Sequence, residues 1–141
     1  MVYSTCSLNP IEDEAVIASV LRELKGRAVL VDMSDHFPQL KRQSGLFSWK
    51  VQNDNQEVFD RWEDIPASSQ SVIQPSCFPP SREEAENLHL DYCMRFLPHY
   101  NNSGGFFIAV LEKCHHINEN EFESENDNPF CLEGVLKMEQ L

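Results

Sequence analysis

The sequence predicts an α/β fold, because segments with strand character alternate along the chain with a segment of helical periodicity. Residues 1–3 and 28–33 are short apolar runs suited to buried strands, and residues 104–113 form the clearest strand of the chain. Between the first two runs, six apolar residues recur at helical spacing and predict one buried helical face: Ala15, Val16, Ile17, Val20, Leu21 and Leu24. A helix that follows one strand and precedes the next is the repeating unit of α/β proteins.

The predicted first helix has recognisable signals at both ends. Asn9 is a favoured N-cap residue, Pro10 suits the first helical position, and Glu12 stands where a capping box places its acidic residue. Gly26 suits the position just past a helix end. We therefore predict a helix that begins at Pro10 and ends before Gly26.

Cys6 lies where the first strand passes into this helix. Open α/β sheets place ligands and chemistry at the carboxyl ends of their strands. The nucleophilic form of cysteine is the thiolate, which a nearby helix N-terminus stabilises. The alternative is a small cysteine buried in the core. The residue pattern alone leaves both interpretations open.

The middle of the chain is predicted to be mostly irregular. Residues 34–47 have the composition of a loop, and residues 63–81, rich in proline and serine, that of an extended connector. A small hairpin is predicted around residues 52–56, because strand-forming residues flank them on both sides: Trp49, Val51, Val58 and Phe59.

A second helix is predicted from a capping box at Ser81 and Glu84 to a stop at Pro98. Its apolar stripe would contain Ala85, Leu88, Tyr92, Cys93 and Phe96. From about residue 115 onward the chain is acidic and polar, and this tail is predicted to be disordered.

Composition limits the classes of partner. The chain has 141 residues, of which 41% are hydrophobic, and this suits one domain with a modest core. Its formal net charge of −12 argues against binding RNA by this chain alone, because lysine and arginine supply most of the affinity for phosphates. No apolar run is long enough to predict a membrane span. Five cysteines without a framework spacing favour a reducing compartment.

Two motifs carry a resemblance to a known family. The segment VYSTCSLNPIEDEAVI contains Thr5-Cys6-Ser7, and the segment GGFFIAVLEK at residues 104–113 is preceded by Leu97-Pro98-His99. Together they resemble the Sun-domain RNA cytosine-5 methyltransferases over residues 1–113. The connecting segment is similar to that of the eukaryotic tRNA-modifying subgroup at Ser48-Trp49-Lys50-Val51, Trp62, Ile65-Pro66 and Phe78-Pro79-Pro80.

The resemblance implies an activity and a site. Cys6 would be the catalytic nucleophile, with Thr5 and Ser7 positioning it, and no other cysteine matches that motif. The implied reaction is methyl transfer from S-adenosylmethionine to carbon 5 of an RNA cytosine, with tRNA as the expected partner and neither DNA nor a membrane. The target base would have to leave its stack to reach the thiol. The implied location is intracellular and nuclear.

The resemblance also implies a topology. Residues 1–114 would be the C-terminal part of a Rossmann-like methyltransferase sheet, and residues 115–141 an acidic tail. Residues 2–6 would be the fifth strand of the family's sheet and residues 28–33 the sixth. Residues 106–112 would be the last strand, running antiparallel between the two.

The sequence departs from the family where the cofactor would bind. It contains no glycine-rich S-adenosylmethionine turn and no Pro-Cys pair for product release. We therefore expect a C-terminal fragment of the catalytic domain that is inactive alone, with its cofactor site largely outside this sequence. Two alternatives stay open: a non-catalytic interaction module derived from such an enzyme, and an unrelated thiol enzyme using Cys6 with His99.

Other chemistry-bearing residues are given structural interpretations. His89 with Cys93, or Cys114-His115-His116, would make at most half of a zinc site, so no metal site is predicted. The side chains of Trp49 and Trp62 could stack on RNA bases, but without interleaved basic residues packing is favoured. Glu12 and Glu14 are interpreted as helix-capping and dipole-compensating groups.

Overall fold

A computed structural model describes residues 1–114, so the predicted disordered tail lies outside the described residues. The strands are β1 (Val2–Thr5), β2 (Ala28–Leu30), β3 (Gln43–Ser44), β4 (Val51–Gln52), β5 (Val58–Phe59), β6 (Met94–Phe96) and β7 (Phe106–Lys113). The α-helices are α1 (Glu14–Leu24), α2 (Arg82–Asn87) and α3 (Pro98–Asn101). Short 3-10 turns occupy Trp62–Asp64, Pro75–Cys77 and Leu90–Tyr92. No helix within residues 1–114 is long and apolar enough to cross a bilayer.

The last strand lies in the middle of the main sheet. β7 pairs antiparallel with β1, with Val2 opposite Val110, and antiparallel with β2, with Leu30 opposite Leu111. The Leu111 amide donates to the Met1 carbonyl, whereas the Val110 carbonyl accepts from Val31, so β1 and β2 occupy opposite edges of β7. The predicted insertion of an antiparallel last strand between the two earlier strands is confirmed.

The main core forms where α1 covers one face of this sheet. Alternate residues of β7 point into it: Phe107 and Ala109 are fully buried, and Leu111 is 3% exposed. They cluster with Ile17, Ala18 and Leu21 of α1. The apolar face of α1, which follows the helical period, and the inward-facing residues of β7, which follow a period of two, therefore form one apolar layer.

The first helix begins later than predicted. Asn9 does accept a hydrogen bond from the Ile11 amide at 3.2 Å, but it caps a separate turn over residues 9–13. Its own amide donates to Ser7 Oγ, and the Glu12 carboxylate meets the Asn9 side-chain amide instead, so the predicted backbone capping box does not form. Regular helix starts at Glu14. The predicted end is confirmed, since the chain turns left-handed after Leu24, with φ of 78° at Gly26.

The second helix is much shorter than predicted. Its start is confirmed, because Ser81 Oγ accepts from the Glu84 amide at 3.1 Å. The helix ends at Asn87, His89 takes a left-handed conformation with φ of 53°, and Met94–Phe96 is a strand. This segment pairs with β7 on the same edge as β2 and also with β3, which lies inside the predicted loop. Met94–Phe96 supplies hydrogen-bond partners to the backbone at this edge of β7, and this pairing outweighs the local helical pattern.

A second, smaller core lies under the connector. The predicted hairpin is confirmed, since β4 and β5 pair antiparallel. Its apolar residues join those of the connector in one buried cluster: Val51, Ile65, Ile73 and Phe78. Trp49 and Trp62 pack against this cluster and donate their indole N–H groups to the carbonyls of Cys77 and Ile73. The interpretation of both tryptophans as packing residues is confirmed.

Candidate active site

Cys6 is the first residue after β1, at the carboxyl end of that strand. Its side chain is exposed to solvent. The alternative of a cysteine buried in the core is therefore wrong. In contrast, Cys93 is fully buried, and burial raises the pKa of its thiol. Because the thiolate is the reactive form, Cys93 is chemically inert in the folded chain.

Hydrogen bonds hold the backbone on both sides of Cys6. Thr5 Oγ1 accepts from the Ser7 amide at 2.8 Å and donates to Asp13 Oδ1 at 3.2 Å. The carbonyl of Leu8 accepts from Arg95 Nη1 at 3.0 Å. A Cβ at Gly105 would lie 3.1 Å from Leu8 Cδ1, so β7 begins directly against this side chain. The short segment that carries the thiol is thus anchored before and after it.

The anchor is a buried cluster of three charged side chains, which we call the Arg95 clamp: Arg95, Glu14 and Asp13. Arg95 Nε and Nη2 donate to the two oxygens of Glu14, both at 2.6 Å. Nη2 also lies 3.4 Å from Asp13 Oδ2. Asp13 and Glu14 are fully buried and Arg95 is 5% exposed. Glu14 accepts one further bond, from the Leu46 amide at 2.9 Å.

Burial is the largest influence on the ionisation of Asp13. It raises the pKa of the Asp13 carboxyl from 3.8 to about 6; Arg95 opposes this change, Glu14 adds to it, and the bond from Thr5 opposes it. Within residues 1–114 no buried side-chain nitrogen or oxygen lacks a hydrogen-bond partner. The clamp is therefore a satisfied polar network, the form in which buried charges are tolerated.

Sequence reasoning missed this cluster. Glu14 was expected to compensate the helix dipole, and instead it is an ion-pair partner in the core. Neither Asp13 nor Arg95 was singled out. One signal was available: Arg95 stands between Met94 and Phe96, and an arginine inside an apolar run needs a buried acidic partner if that run is a strand. The helix predicted over this segment concealed that signal.

The other candidate histidines contact neighbouring aromatic rings. His99 is exposed on α3 with its ring against Tyr100, 4.4 Å between centroids. His89 stacks on Tyr92 at 4.7 Å. Among residues 1–114 no three histidine, cysteine or acidic side chains converge as metal ligands would.

One cleft in the described part of the chain is too small for S-adenosylmethionine. A cleft of about 200 Å³ lies beside the end of β2, between Asp32, Arg42 and Tyr92. Cofactor-sized ligands need at least about 300 Å³. The cleft is also narrowed by Arg42, whose guanidinium donates to the carbonyls of Met33 and Ser34. No residue of this cleft is therefore assigned to the cofactor.

The amino-acid sequence was compared with those of known proteins and with protein-family models. No protein-family model matches the chain. It is 44% identical over 114 residues to the tRNA (cytosine(34)-C(5))-methyltransferase of Drosophila melanogaster. It is 44% identical over 126 residues to a multisite-specific tRNA:(cytosine-C(5))-methyltransferase of Schizosaccharomyces pombe. The chain is therefore similar in sequence to tRNA cytosine-C5-methyltransferases. A third such enzyme, from Saccharomyces cerevisiae, is 41% identical over 134 residues.

These matches cover most of this chain and little of the relatives. They include 80%, 87% and 95% of the chain, respectively. The chain spans 15% to 19% of the length of the curated tRNA cytosine-C5-methyltransferases that it matches. The predicted resemblance to this class of methyltransferase is confirmed, as is the α/β fold with its antiparallel last strand.

Proposed function

We propose that this chain supplies the nucleophilic cysteine of a tRNA cytosine-C5 methyltransferase, and that Cys6 is that residue. The observation that carries the proposal is the exposed Cys6 thiol, on a segment anchored at both sides, at the carboxyl end of β1. Kinship to enzymes named for this reaction supports it. The proposal includes tRNA as partner, S-adenosylmethionine as methyl donor and a nuclear site of action.

The chemistry that Cys6 would perform is a covalent addition. Carbon 5 of cytosine is a poor nucleophile in the aromatic ring. When the Cys6 thiolate adds to carbon 6, the electron pair of the 5,6 double bond becomes available at carbon 5, which can then accept a methyl group. Loss of the proton from carbon 5 and departure of the thiolate from carbon 6 restore the double bond and free the enzyme.

The position of Cys6 suits a base that has left its stack. An exposed thiol at the rim of a sheet can be reached by an unstacked or flipped nucleotide, whereas a base within a duplex hides carbon 6. The net charge of −12 indicates that this chain is not the main contact to the phosphate backbone. Recognition of tRNA is therefore assigned to other parts of the enzyme, as is the binding of S-adenosylmethionine.

A chimeric enzyme tests the proposal. The matching 126-residue segment of the S. pombe relative would be replaced with this chain, and transfer of labelled methyl groups to tRNA would be measured. We expect activity, and a loss on the order of a thousandfold or more with Cys6→Ala, since covalent catalysis has no substitute at that position. Cys77→Ala is the matched control, because Cys77 is a half-buried thiol of the second core.

Three outcomes would contradict the proposal. A folded chimera that binds tRNA without methylating it would show that this chain has no enzymatic role and would favour its interpretation as an interaction module. Full activity with Cys6→Ala would show that Cys6 is not the nucleophile. Trapping of Cys6 by an ester substrate, independent of RNA, would favour an unrelated thiol enzyme.

A further inference from the structure

The Arg95 clamp joins three separate parts of the chain at one guanidinium. Arg95 lies on β6, its carboxylate partners Glu14 and Asp13 lie at the start of α1, and its third contact is the Leu8 carbonyl, two residues after Cys6. The two-pronged bond to Glu14 fixes the plane of the guanidinium. With that plane fixed, Nη1 has one direction in which to donate, and the Leu8 carbonyl lies there.

Stability alone does not favour such a cluster. Taking three charged groups out of water carries a desolvation cost, and well-packed apolar side chains of similar volume often give an equally or more stable fold. Unlike apolar packing, the clamp provides a directional hydrogen bond to one backbone atom, the Leu8 carbonyl oxygen. The same cluster reaches the other side of Cys6, because Asp13 accepts from Thr5, whose hydroxyl oxygen accepts from the Ser7 amide.

We propose that Arg95 is a positioning residue, which, oriented by Glu14 and Asp13, holds the Leu8 carbonyl and thereby fixes the direction in which Cys6 presents its sulfur. This rests on the proposed function of Cys6. Arg95 is buried, and its hydrogen bonds go to Glu14, Asp13 and Leu8, so it acts on the thiol through the backbone rather than on the substrate. Its effect is on how often the thiol stands in line with carbon 6 of the base.

The first test needs no methyl transfer and no variant. Order parameters from ¹⁵N relaxation of the full 141-residue chain would be measured for the amides of Cys6, Ser7 and Leu8. We expect values near about 0.85, those of rigid backbone, although this segment is neither helix nor strand. Values below about 0.6 would overturn the proposal, because a mobile segment is not being positioned.

The second test neutralises the clamp while keeping its shape. The triple variant Asp13→Asn/Glu14→Gln/Arg95→Met retains acceptors for Thr5 and the Leu46 amide but loses the bond to Leu8. In the chimeric enzyme we expect kcat to fall about 100-fold, the scale of a misplacement of about 1 Å, with the KM for tRNA changed by less than about twofold. The order parameters of Ser7 and Leu8 should fall in the 141-residue triple variant.

Arg95→Lys serves as the second variant. Lysine keeps the positive charge but presents a single ammonium group instead of a rigid fork, so it cannot bond Glu14 and Leu8 in fixed directions. We expect a folded protein whose kcat is reduced at unchanged KM. Full rescue by lysine would show that the role is charge balance and would overturn the proposal. The matched control is Arg22→Lys, because Arg22 forms the same two-pronged bond to Glu84 on the surface, at 2.6 and 2.9 Å.

The failures of the two proposals can be told apart. If Cys6→Ala leaves methylation intact, the proposed function is wrong, whatever the order parameters are. If Cys6→Ala abolishes methylation while the folded triple variant keeps its kcat, the function stands and the positioning role is wrong. If neither the triple variant nor Arg95→Lys folds, the wild-type order parameters decide whether the positioning role stands.

Discussion

Arg95 and Glu14, which stand 81 positions apart in the chain, form a buried two-pronged ion pair with both N···O distances at 2.6 Å. The pair links β6 to the start of α1. Since β6 is hydrogen-bonded to β7, and β7 to β1, the same pair connects the helix to the strand that ends just before Cys6. The candidate site is therefore held by a long-range contact as well as by local hydrogen bonds.

Removing one partner of this pair should be costly. We expect Glu14→Ala to lower the free energy of unfolding by about 3 to 5 kcal/mol, because it leaves the Arg95 charge buried without its main partner. Glu84→Ala, which breaks the exposed pair with Arg22, should cost less than about 1 kcal/mol. Urea denaturation of both variants measures the difference. Equal effects at the two positions would show that the buried pair is not coupled to folding.

Asp13→Asn should change how stability depends on pH. Burial raises the pKa of the Asp13 carboxyl from 3.8 to about 6, so the folded chain binds this proton more tightly than the unfolded chain does. The stabilisation from this group is then complete below about pH 4 and is lost as the pH rises through about 6, a change of about 3 kcal/mol.

The measurement is the free energy of unfolding of wild type minus that of Asp13→Asn, across this pH range. We expect the difference to decline with rising pH. Asp54→Asn, in the exposed turn of the hairpin, is the surface control. A difference that stays constant, or that grows with pH, would contradict the raised pKa.

Gly45 should tolerate no side chain. A Cβ there would lie 2.0 Å from the Leu90 carbonyl oxygen and 2.7 Å from Cys93 Cβ, where the segment after α2 crosses β3. We expect Gly45→Ala to destabilise the protein by about 1 to 3 kcal/mol or more, since backbone has to move. Gly104→Ala, which meets nothing within 4 Å, should be close to neutral. Thermal denaturation compares them, and equal midpoints would argue against the close crossing.

The 141-residue chain by itself should not methylate tRNA. Its sequence contains no glycine-rich turn of the expected kind, and the cleft beside β2 is too small for S-adenosylmethionine. Incubation with tritiated S-adenosylmethionine and tRNA should therefore leave the RNA unlabelled, whereas the chimeric enzyme labels it. Label that appears with the isolated chain and disappears with Cys6→Ala would show that this chain holds a complete site.

Elements with local signals were predicted well from sequence. The end of α1 at Gly26 and the cap at Ser81 each depend on residues within one turn of the chain, and the structure confirms both. The hairpin was also found, because its two strands are neighbours in sequence. In each case the decisive hydrogen bonds join residues a few positions apart.

The predictions that were wrong concern elements whose hydrogen-bond or ion-pair partners are distant in the sequence. The predicted helix through residues 85–96 breaks because Met94–Phe96 pairs with Phe106–Ile108, and a periodicity of apolar residues says nothing about an available sheet edge. The regular helix starts four residues late because Asp13 and Glu14 turn inward to Arg95 instead of serving the helix end. Both departures come from partners ten or more residues away in the chain.

By itself, the sequence determined the α/β class and the placement of Cys6 at a strand end, and the resemblance carried by residues 2–17 and 104–113 implied the antiparallel last strand. Only the tertiary structure decided that the thiol is exposed and that Arg95, Glu14 and Asp13 share one buried cluster. Motifs and propensities encode which residues are present and how they are spaced. Whether a charge lies in water or in the core depends on which distant segments pack around it, and that is settled only when the chain folds.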